Sequence, residues 1–176
     1  MNILNFKQKE INKAYLAVSV LGKALKINIK YHNSSSINLD KKINEIDLFL
    51  PKIYKGKDNS NIVNMAIKKL YFEIATIEIE NAMEIARHIL KFAPEDYILK
   101  ELNVDYYRIR NGIITVSPDI VKYNIEVINT TILQAFCKIK YRANSTGYKK
   151  AIQSALVKYE HYKLEGFVTD EIRKYA

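Results

Sequence analysis

The chain has 176 residues, of which 48% are hydrophobic and 27% charged, and its net charge is +9. This length corresponds to about one domain, and the hydrophobic fraction is sufficient for a packed core. The composition excludes a disordered or fibrous chain, and no apolar run approaches the roughly 18 residues of a membrane-spanning helix. We therefore expect one domain over residues 1–176 and no membrane partner.

A single cysteine, Cys137, excludes an internal disulfide framework. Cytoplasmic proteins keep their thiols reduced, and the chain has no hydrophobic stretch typical of a secretory signal peptide at its start. We therefore expect a cytoplasmic protein. Cys137 lies on an apolar face of a predicted helix, so we expect a buried, inert thiol rather than a nucleophile.

Apolar residues recur at helical spacing in the first half of the chain. Steps of three and four predict an amphipathic helix over residues 6–28 and a second helix over residues 39–50 that ends at Pro51. The basic face of the first helix would carry Lys9, Lys13, Lys23 and Lys30. A long or broken helix follows over residues 61–93. Residues 76–80 alternate as in a strand, so the sequence leaves helix and strand open between residues 70 and 80.

The second half of the chain continues this helical pattern on both sides of a turn signal. We predict a short helix over residues 94–102 that begins at Pro94, a long helix over residues 118–140, and a last helix over about residues 148–165. A polar loop over residues 143–147 separates the last two helices.

A β-hairpin over residues 104–117 is the clearest local prediction. Asn111 and Gly112 are the favoured pair for a two-residue type I′ turn. That turn places Arg110 opposite Ile113 and Tyr107 opposite Val116. One face of the hairpin, expected to pack inward, carries Tyr107, Ile109, Ile114 and Val116. Arg108 and Arg110 then lie on the other face.

These elements together predict a mainly α fold, a single-domain bundle of about five to six helices with one hairpin. The order of long helix, short helix and hairpin is also that of a winged helix-turn-helix, with Asn111 and Gly112 at the wing tip. In that arrangement residues 95–102 would be the recognition helix. Its acidic side chains would repel phosphate, so we favour an αβ element within the bundle, and a winged module would use this helix to contact protein.

Charge is unevenly distributed along the chain. Residues 1–60 carry 11 basic and 5 acidic side chains, a net +6. Residues 61–137 carry 8 basic and 10 acidic side chains, and residues 138–176 carry 9 and 4, which leaves −2 and +5. Basic segments favour polyanionic partners. We expect the two ends to contact phosphates and the middle to contact protein.

The basic region that begins at residue 138 is the main candidate site. Cationic and aromatic residues alternate there, and this mixture suits nucleic acid, because bases stack on tyrosine rings while lysine and arginine neutralise phosphates. The candidate residues are Lys138, Lys140, Tyr141, Arg142, Lys149 and Lys150, with Lys158 and Lys163 further along. Three other tyrosines, Tyr148, Tyr159 and Tyr162, share the apolar face of the last helix, which leaves Tyr141 free to stack. Arg108 and Arg110 form a second candidate group, and ordinary solvated surface is the alternative for both.

Two carboxylate–imidazole pairs have i,i+4 spacing, Glu84 with His88 and His161 with Glu165. The same spacing is typical of ordinary contacts on a helix surface, and it is not the Glu-x-x-His pattern of di-iron bundles. We therefore predict no metal site and no cofactor. The sequence contains no HExxH, Walker loop, GxGxxG or GxSxG motif, so we predict a protein that is not an enzyme.

The leading hypothesis is a non-catalytic nucleic-acid-binding protein that serves as a small accessory subunit of a larger nucleoprotein complex. The sequence leaves open whether the nucleic acid is DNA or RNA. The alternative is a helical protein–protein interaction module, such as an effector or adaptor, whose lysines serve only solubility. An enzyme with an unfamiliar helical active site is a third hypothesis.

Overall fold

The computed structural model describes the backbone of residues 16–175 and the side chains of residues 17–164. Within this range the chain forms two β-sheets and three α-helices. The elements in chain order are β1 (Leu16–Val20), β2 (Lys23–His32), β3 (Asn38–Lys41), β4 (Glu45–Pro51), α1 (Ser60–Leu90), β5 (Asp96–Leu99), β6 (Tyr107–Arg110), β7 (Ile113–Val116), α2 (Ile125–Lys140) and α3 (Thr146–Tyr175). The prediction of a mainly α bundle with five to six helices is wrong, because the described chain has an α/β fold.

The first sheet has four strands in the order β1-β2-β4-β3. Strands β2 and β4 are parallel, and the other two pairs are antiparallel. Its inner face supplies a large part of the core through Val18, Val20, Leu25, Ile27, Ile46, Leu48 and Leu50. The predicted helices over residues 6–28 and 39–50 are therefore wrong wherever the structure describes them. Residues 6–15, with Lys9 and Lys13, lie outside the described residues.

The strands of the first sheet were not predicted because their apolar residues fit both the helical period and the strand period. Leu25 and Ile27 alternate with polar residues on β2, yet each also falls at a helical step from an apolar residue further back. Gly22 is the local signal for a turn. Leu21 and Gly22 both have positive φ angles, 50° and 77°, as a type I′ turn between antiparallel strands requires.

The tip of the β1–β2 hairpin is attached to a short 3-10 helix over Pro118–Lys122. The Leu21 N–H donates to the Val121 carbonyl at 2.6 Å, and the Gly22 N–H donates to the Lys122 carbonyl at 3.3 Å. The Tyr71 hydroxyl on α1 also donates to the Ser19 carbonyl at 2.9 Å. These bonds join the first sheet to the helical layer.

The long helix predicted over residues 61–93 is confirmed as α1, 31 residues in one piece. Residues 70–80 are helical, which answers the question that their alternation left open. Ile77 is 62% exposed while Ile79 is buried, so the alternation comes from an isoleucine on the solvent face. The helix ends at Leu90 and is capped by Lys91, which has a left-handed φ of 58° and whose N–H donates to the Arg87 carbonyl at 2.9 Å.

The second sheet has three strands in the order β5-β7-β6. The predicted hairpin is confirmed with its register, from Arg110 opposite Ile113 to Tyr107 opposite Val116. The short helix predicted over residues 94–102 is wrong, because residues 96–99 form β5, parallel to β7. A winged helix-turn-helix is therefore excluded, since its recognition helix would occupy the place of this strand.

Two helices complete the fold. The helix predicted over residues 118–140 is divided into the 3-10 helix and α2, whose N-terminus is capped by the Asn124 side chain on the Val127 N–H at 2.9 Å. Helix α3 begins at Thr146, within the predicted loop, and extends beyond residue 165. Fully buried residues of α2 include Ile128, Ile132, Leu133 and Phe136. No helix in the described range is long and apolar enough to cross a membrane.

The Gly22 turn leads to a test of the join between the two layers. A Cβ on Gly22 would lie 3.0–3.3 Å from the Cβ, N and Cα atoms of Asn124, whereas a Cβ on Gly56 would meet no atom within 4 Å. Both glycines have positive φ angles. We expect Gly56→Ala to lower the free energy of unfolding by about 1 kcal/mol through backbone strain alone. We expect Gly22→Ala to cause the same backbone strain and, in addition, to lower the free energy of unfolding by about 1–3 kcal/mol through overpacking against Asn124.

Equilibrium urea unfolding of the two variants measures this difference. Equal losses of stability would show that the hairpin tip does not pack against Asn124 in solution.

Candidate nucleic-acid interface

The lysines at the end of α2 lie over aromatic rings. The Lys138 ammonium is 4.8 Å from the centre of the Tyr107 ring on β6, and the Lys140 ammonium is 5.6 Å from the centre of the Phe92 ring. The neighbouring Tyr107 side chain raises the pKa of Lys138. Both lysines are exposed, so each ammonium is accessible to a ligand while it lies over a ring.

A tight loop follows α2 and turns the chain into α3. The Ser145 N–H donates to the Arg142 carbonyl at 3.1 Å, and Asn144 has a left-handed φ of 64°. The Tyr141 ring packs against Gly147, since its Cδ1 atom lies 3.2 Å from where a Cβ on that glycine would be. Tyr141 is half-buried, and Arg142 is exposed.

Six of the predicted site residues thus lie at the end of α2, in the loop and in the first turns of α3, and we call this segment the basic loop surface over residues 138–150. It consists of Lys138, Lys140, Tyr141, Arg142, Lys149 and Lys150. No acidic residue occurs between positions 138 and 150. The first turn of α3 is also free of acidic side chains, and the partial positive charge of a helix N-terminus favours an anion there.

The other two candidates lie elsewhere. Side chains alternate along a strand, so Arg108 and Arg110 point away from the side of β6 on which Tyr107 and Ile109 pack toward α2. Lys138 contacts Tyr107 on that inner side. The hairpin arginines and the basic loop surface are thus on opposite faces of β6.

Two lysines of the basic N-terminal segment are neutralised within the first sheet. The Asp47 carboxylate, with a side chain only 2% exposed, pairs with the Lys30 ammonium at 2.7 Å and the Lys42 ammonium at 2.5 Å. The Asn28 amide also donates to it at 3.2 Å. Hydrogen bonds from Lys30 and Lys42 hold the pKa of Asp47 far below its usual range. The net +6 of residues 1–60 is therefore not all available to phosphate.

A second basic feature lies between the end of α1 and α3. We call it the histidine cleft, a depression of about 290 Å³ lined by His88, Ile89, Lys91, Lys158, His161 and Tyr162. The His88 and Tyr162 rings are 5.7 Å apart at an angle of 52°. Helical spacing predicts that Lys158 shares a helix face with Lys150, so the sequence could have identified Lys158 as a candidate. No sequence signal places Lys91 beside it.

The Glu165 side chain, predicted to pair with His161, lies outside the described residues, and Glu84 and His88 form no metal centre within them. No three side chains among His, Cys, Asp and Glu are grouped there at metal-binding distance. Glu84 forms an ion pair with Arg87. Cys137 is buried as predicted, and burial raises the pKa of its thiol.

An apolar groove of about 740 Å³ runs between α1 and the edge strand β3. Its lining includes Ile37 and Met65, which are 46% and 71% exposed. Lys69 and Glu73 lie at the same groove, so its charged groups are balanced. This feature differs in character from the basic loop surface and is remote from it along the chain.

Comparisons with protein-family models, with curated proteins and with solved structures give no match to this chain.

The Asp47 pairing leads to a prediction about pH. Because the folded state depresses the pKa of Asp47, its charge contributes stability that is fully present above the unfolded pKa and is lost as the pH falls below about 5. Asp47→Asn should lower the urea midpoint at pH 7 and flatten its decline toward low pH. The matched control is Asp40→Asn, at the exposed aspartate on β3. It should change neither the urea midpoint at pH 7 nor the decline of that midpoint toward low pH. A wild-type decline that persists in Asp47→Asn would assign the acid sensitivity to other groups.

Proposed function

We propose that this protein binds nucleic acid through the basic loop surface and acts without catalysis. The proposal rests on the exposed positive charge of that surface, which has five exposed cations and no acidic residue between positions 138 and 150. The cations are Lys138, Lys140, Arg142, Lys149 and Lys150. Such a density of positive charge releases condensed counterions from a phosphate backbone, which is the main source of affinity for nucleic acid.

The geometry of the surface supports a flexible strand. Lys138 and Lys140 end α2 while Lys149 and Lys150 begin α3, so cations flank the loop on both sides. Tyr141 lies between them, and an aromatic ring among cations can accept a base. A strand that follows the loop would contact phosphates at either end and stack a base at its centre.

The apolar groove supports a protein partner. Exposed apolar surface at a groove is characteristic of interaction sites, and Met65 supplies an adaptable side chain. A protein bound there would leave the basic loop surface open, as expected for an accessory subunit of a nucleoprotein complex in the cytoplasm. The same groove favours the second candidate function, a protein-interaction module with no role in nucleic-acid binding.

Fluorescence anisotropy with single- and double-stranded DNA and RNA tests the proposal. We expect binding at about 50 mM salt, with log affinity falling linearly against log salt by about 0.7–0.9 per phosphate contacted. If none of the four nucleic acids binds, the proposal is wrong and the protein-interaction module takes its place.

A pair of matched variants locates the surface. Arg142→Glu combined with Lys149→Glu should weaken binding at least about tenfold and reduce the salt slope by about two contacts. Both side chains are exposed, so stability should change by less than about 0.5 kcal/mol for each substitution. Arg108→Glu combined with Arg110→Glu makes the same charge change on the opposite face of β6. A larger loss of affinity in this second variant would move the site to the hairpin.

A further inference from the structure

We infer that the nucleic-acid surface continues beyond the loop, along the outer face of α3, and ends in the histidine cleft, which takes one nucleotide of a single strand. This inference rests on the proposed function and extends it. It assigns a role to His88, His161, Lys91 and Lys158.

Helix α3 presents a polar face to solvent. Lys150, Ser154, Lys158 and His161 follow one another at steps of four, four and three, so they form one stripe along the helix. All four are exposed, whereas Ala155 and Tyr159 of the same helix are buried. At 1.5 Å per residue this α3 stripe is roughly 16 Å long. It begins within the basic loop surface, because Lys150 belongs to both.

The charge of α3 favours an anion along this stripe. Glu160 is the only acidic residue among positions 146–164. Its carboxylate is 2.8 Å from the Lys163 ammonium, which also pairs with Glu126 at 3.2 Å. The single negative charge among positions 146–164 therefore pairs with Lys163, and these positions contain no other acid that could oppose Lys150 or Lys158.

The cleft at the far end combines cations with flat rings. Lys158 borders both the histidine cleft and a second depression beside Lys150, so the two depressions are neighbours on α3. Lys91 is the left-handed residue that caps the C-terminus of α1. Its positive charge offsets the partial negative charge of that helix end. The tilted His88 and Tyr162 rings supply the aromatic surface.

Size and chemistry indicate the occupant. The volume of about 290 Å³ is at the lower limit of small-molecule pockets, which hold roughly 300–1,000 Å³. One base with its phosphate suits such a shallow site better than a whole cofactor. Rings occur at both ends of the path, at Tyr141 and at His88, with lysines between them. A nucleic-acid strand uses both kinds of group, whereas an acidic peptide needs only the cations.

The histidines provide a direct readout. The chain has three histidines, His32, His88 and His161, so their imidazole proton signals can be followed individually by NMR. His32 lies at the end of β2 in the first sheet and serves as an internal control. An oligothymidine of about 12 nucleotides, and the matching oligouridine, should shift the signals of His88 and His161 and leave that of His32 unchanged.

Charge reversal tests the same path by affinity. Lys91→Glu combined with Lys158→Glu should weaken binding of these oligonucleotides at least about tenfold and reduce the salt slope by about two contacts. The matched control, Lys55→Glu combined with Lys57→Glu, changes the net charge equally in the exposed loop before α1 and should have little effect. An unchanged His32 signal shows that each variant is folded.

The outcomes separate this inference from the proposed function. If Arg142→Glu with Lys149→Glu weakens binding but Lys91→Glu with Lys158→Glu does not, the loop is the site and the inference is wrong. Binding to duplexes alone, or equal binding of polyglutamate at the cleft, also overturns it. Wild-type protein that binds no nucleic acid overturns the proposed function and the inference together.

Discussion

The buried hydrogen bond between α2 and α3 determines which surface the protein offers. The Asn129 amide donates to the Tyr159 hydroxyl at 2.8 Å, and both residues are almost fully buried. A buried amide or hydroxyl without a partner is costly, so this pair fixes the rotation of α3 about its axis. With Tyr159 and Ala155 directed inward, Lys150, Lys158 and His161 face solvent. The position of the basic loop surface depends on the same packing, because the loop joins these two helices.

Internal ion pairs decide how much of the net charge can meet a polyanion. Asp47 engages Lys30 and Lys42 on the first sheet, and Lys163 is shared between Glu126 and Glu160. These lysines stabilise local structure. The cations between positions 138 and 150 have no acidic neighbour in sequence, and the two at the end of α2 contact aromatic rings instead of carboxylates. The surface that we propose for nucleic-acid binding therefore lies where positive charge is left uncompensated.

The apolar groove and the basic surfaces use different parts of the fold. The groove lies between β3 and the first half of α1, where Met65 and Ile37 are exposed. The basic loop surface lies at the junction of α2 and α3, and the histidine cleft is at the opposite end of α1 from the groove. A protein partner and a nucleic-acid strand could occupy the chain together. This division is what a small subunit that joins a complex to its nucleic acid would need.

Features that depend on local chemistry could be predicted from the sequence. The positive φ angles that Asn111 and Gly112 favour determined the hairpin and its register, and a long run of apolar residues at helical spacing determined α1. The candidate residues around Arg142 followed from composition alone, and the structure places them together because they are close in the chain.

Features that depend on distant partners were decided only by the tertiary structure. Strand β2 pairs in parallel with β4, although β3 comes between them in sequence. Residues 96–99 form a strand because β7 lies beside them and pairs with them. Short segments whose apolar residues fit both periods adopt the structure that satisfies their backbone hydrogen bonds, and those bonds come from residues far away in sequence. The same reason hid the histidine cleft, since the whole second sheet and α2 lie between Lys91 and Lys158 in the chain. The sequence alone determined the Asn111–Gly112 turn, the long helix and the basic segment, and long-range pairing decided the sheets and the surface that surrounds that segment.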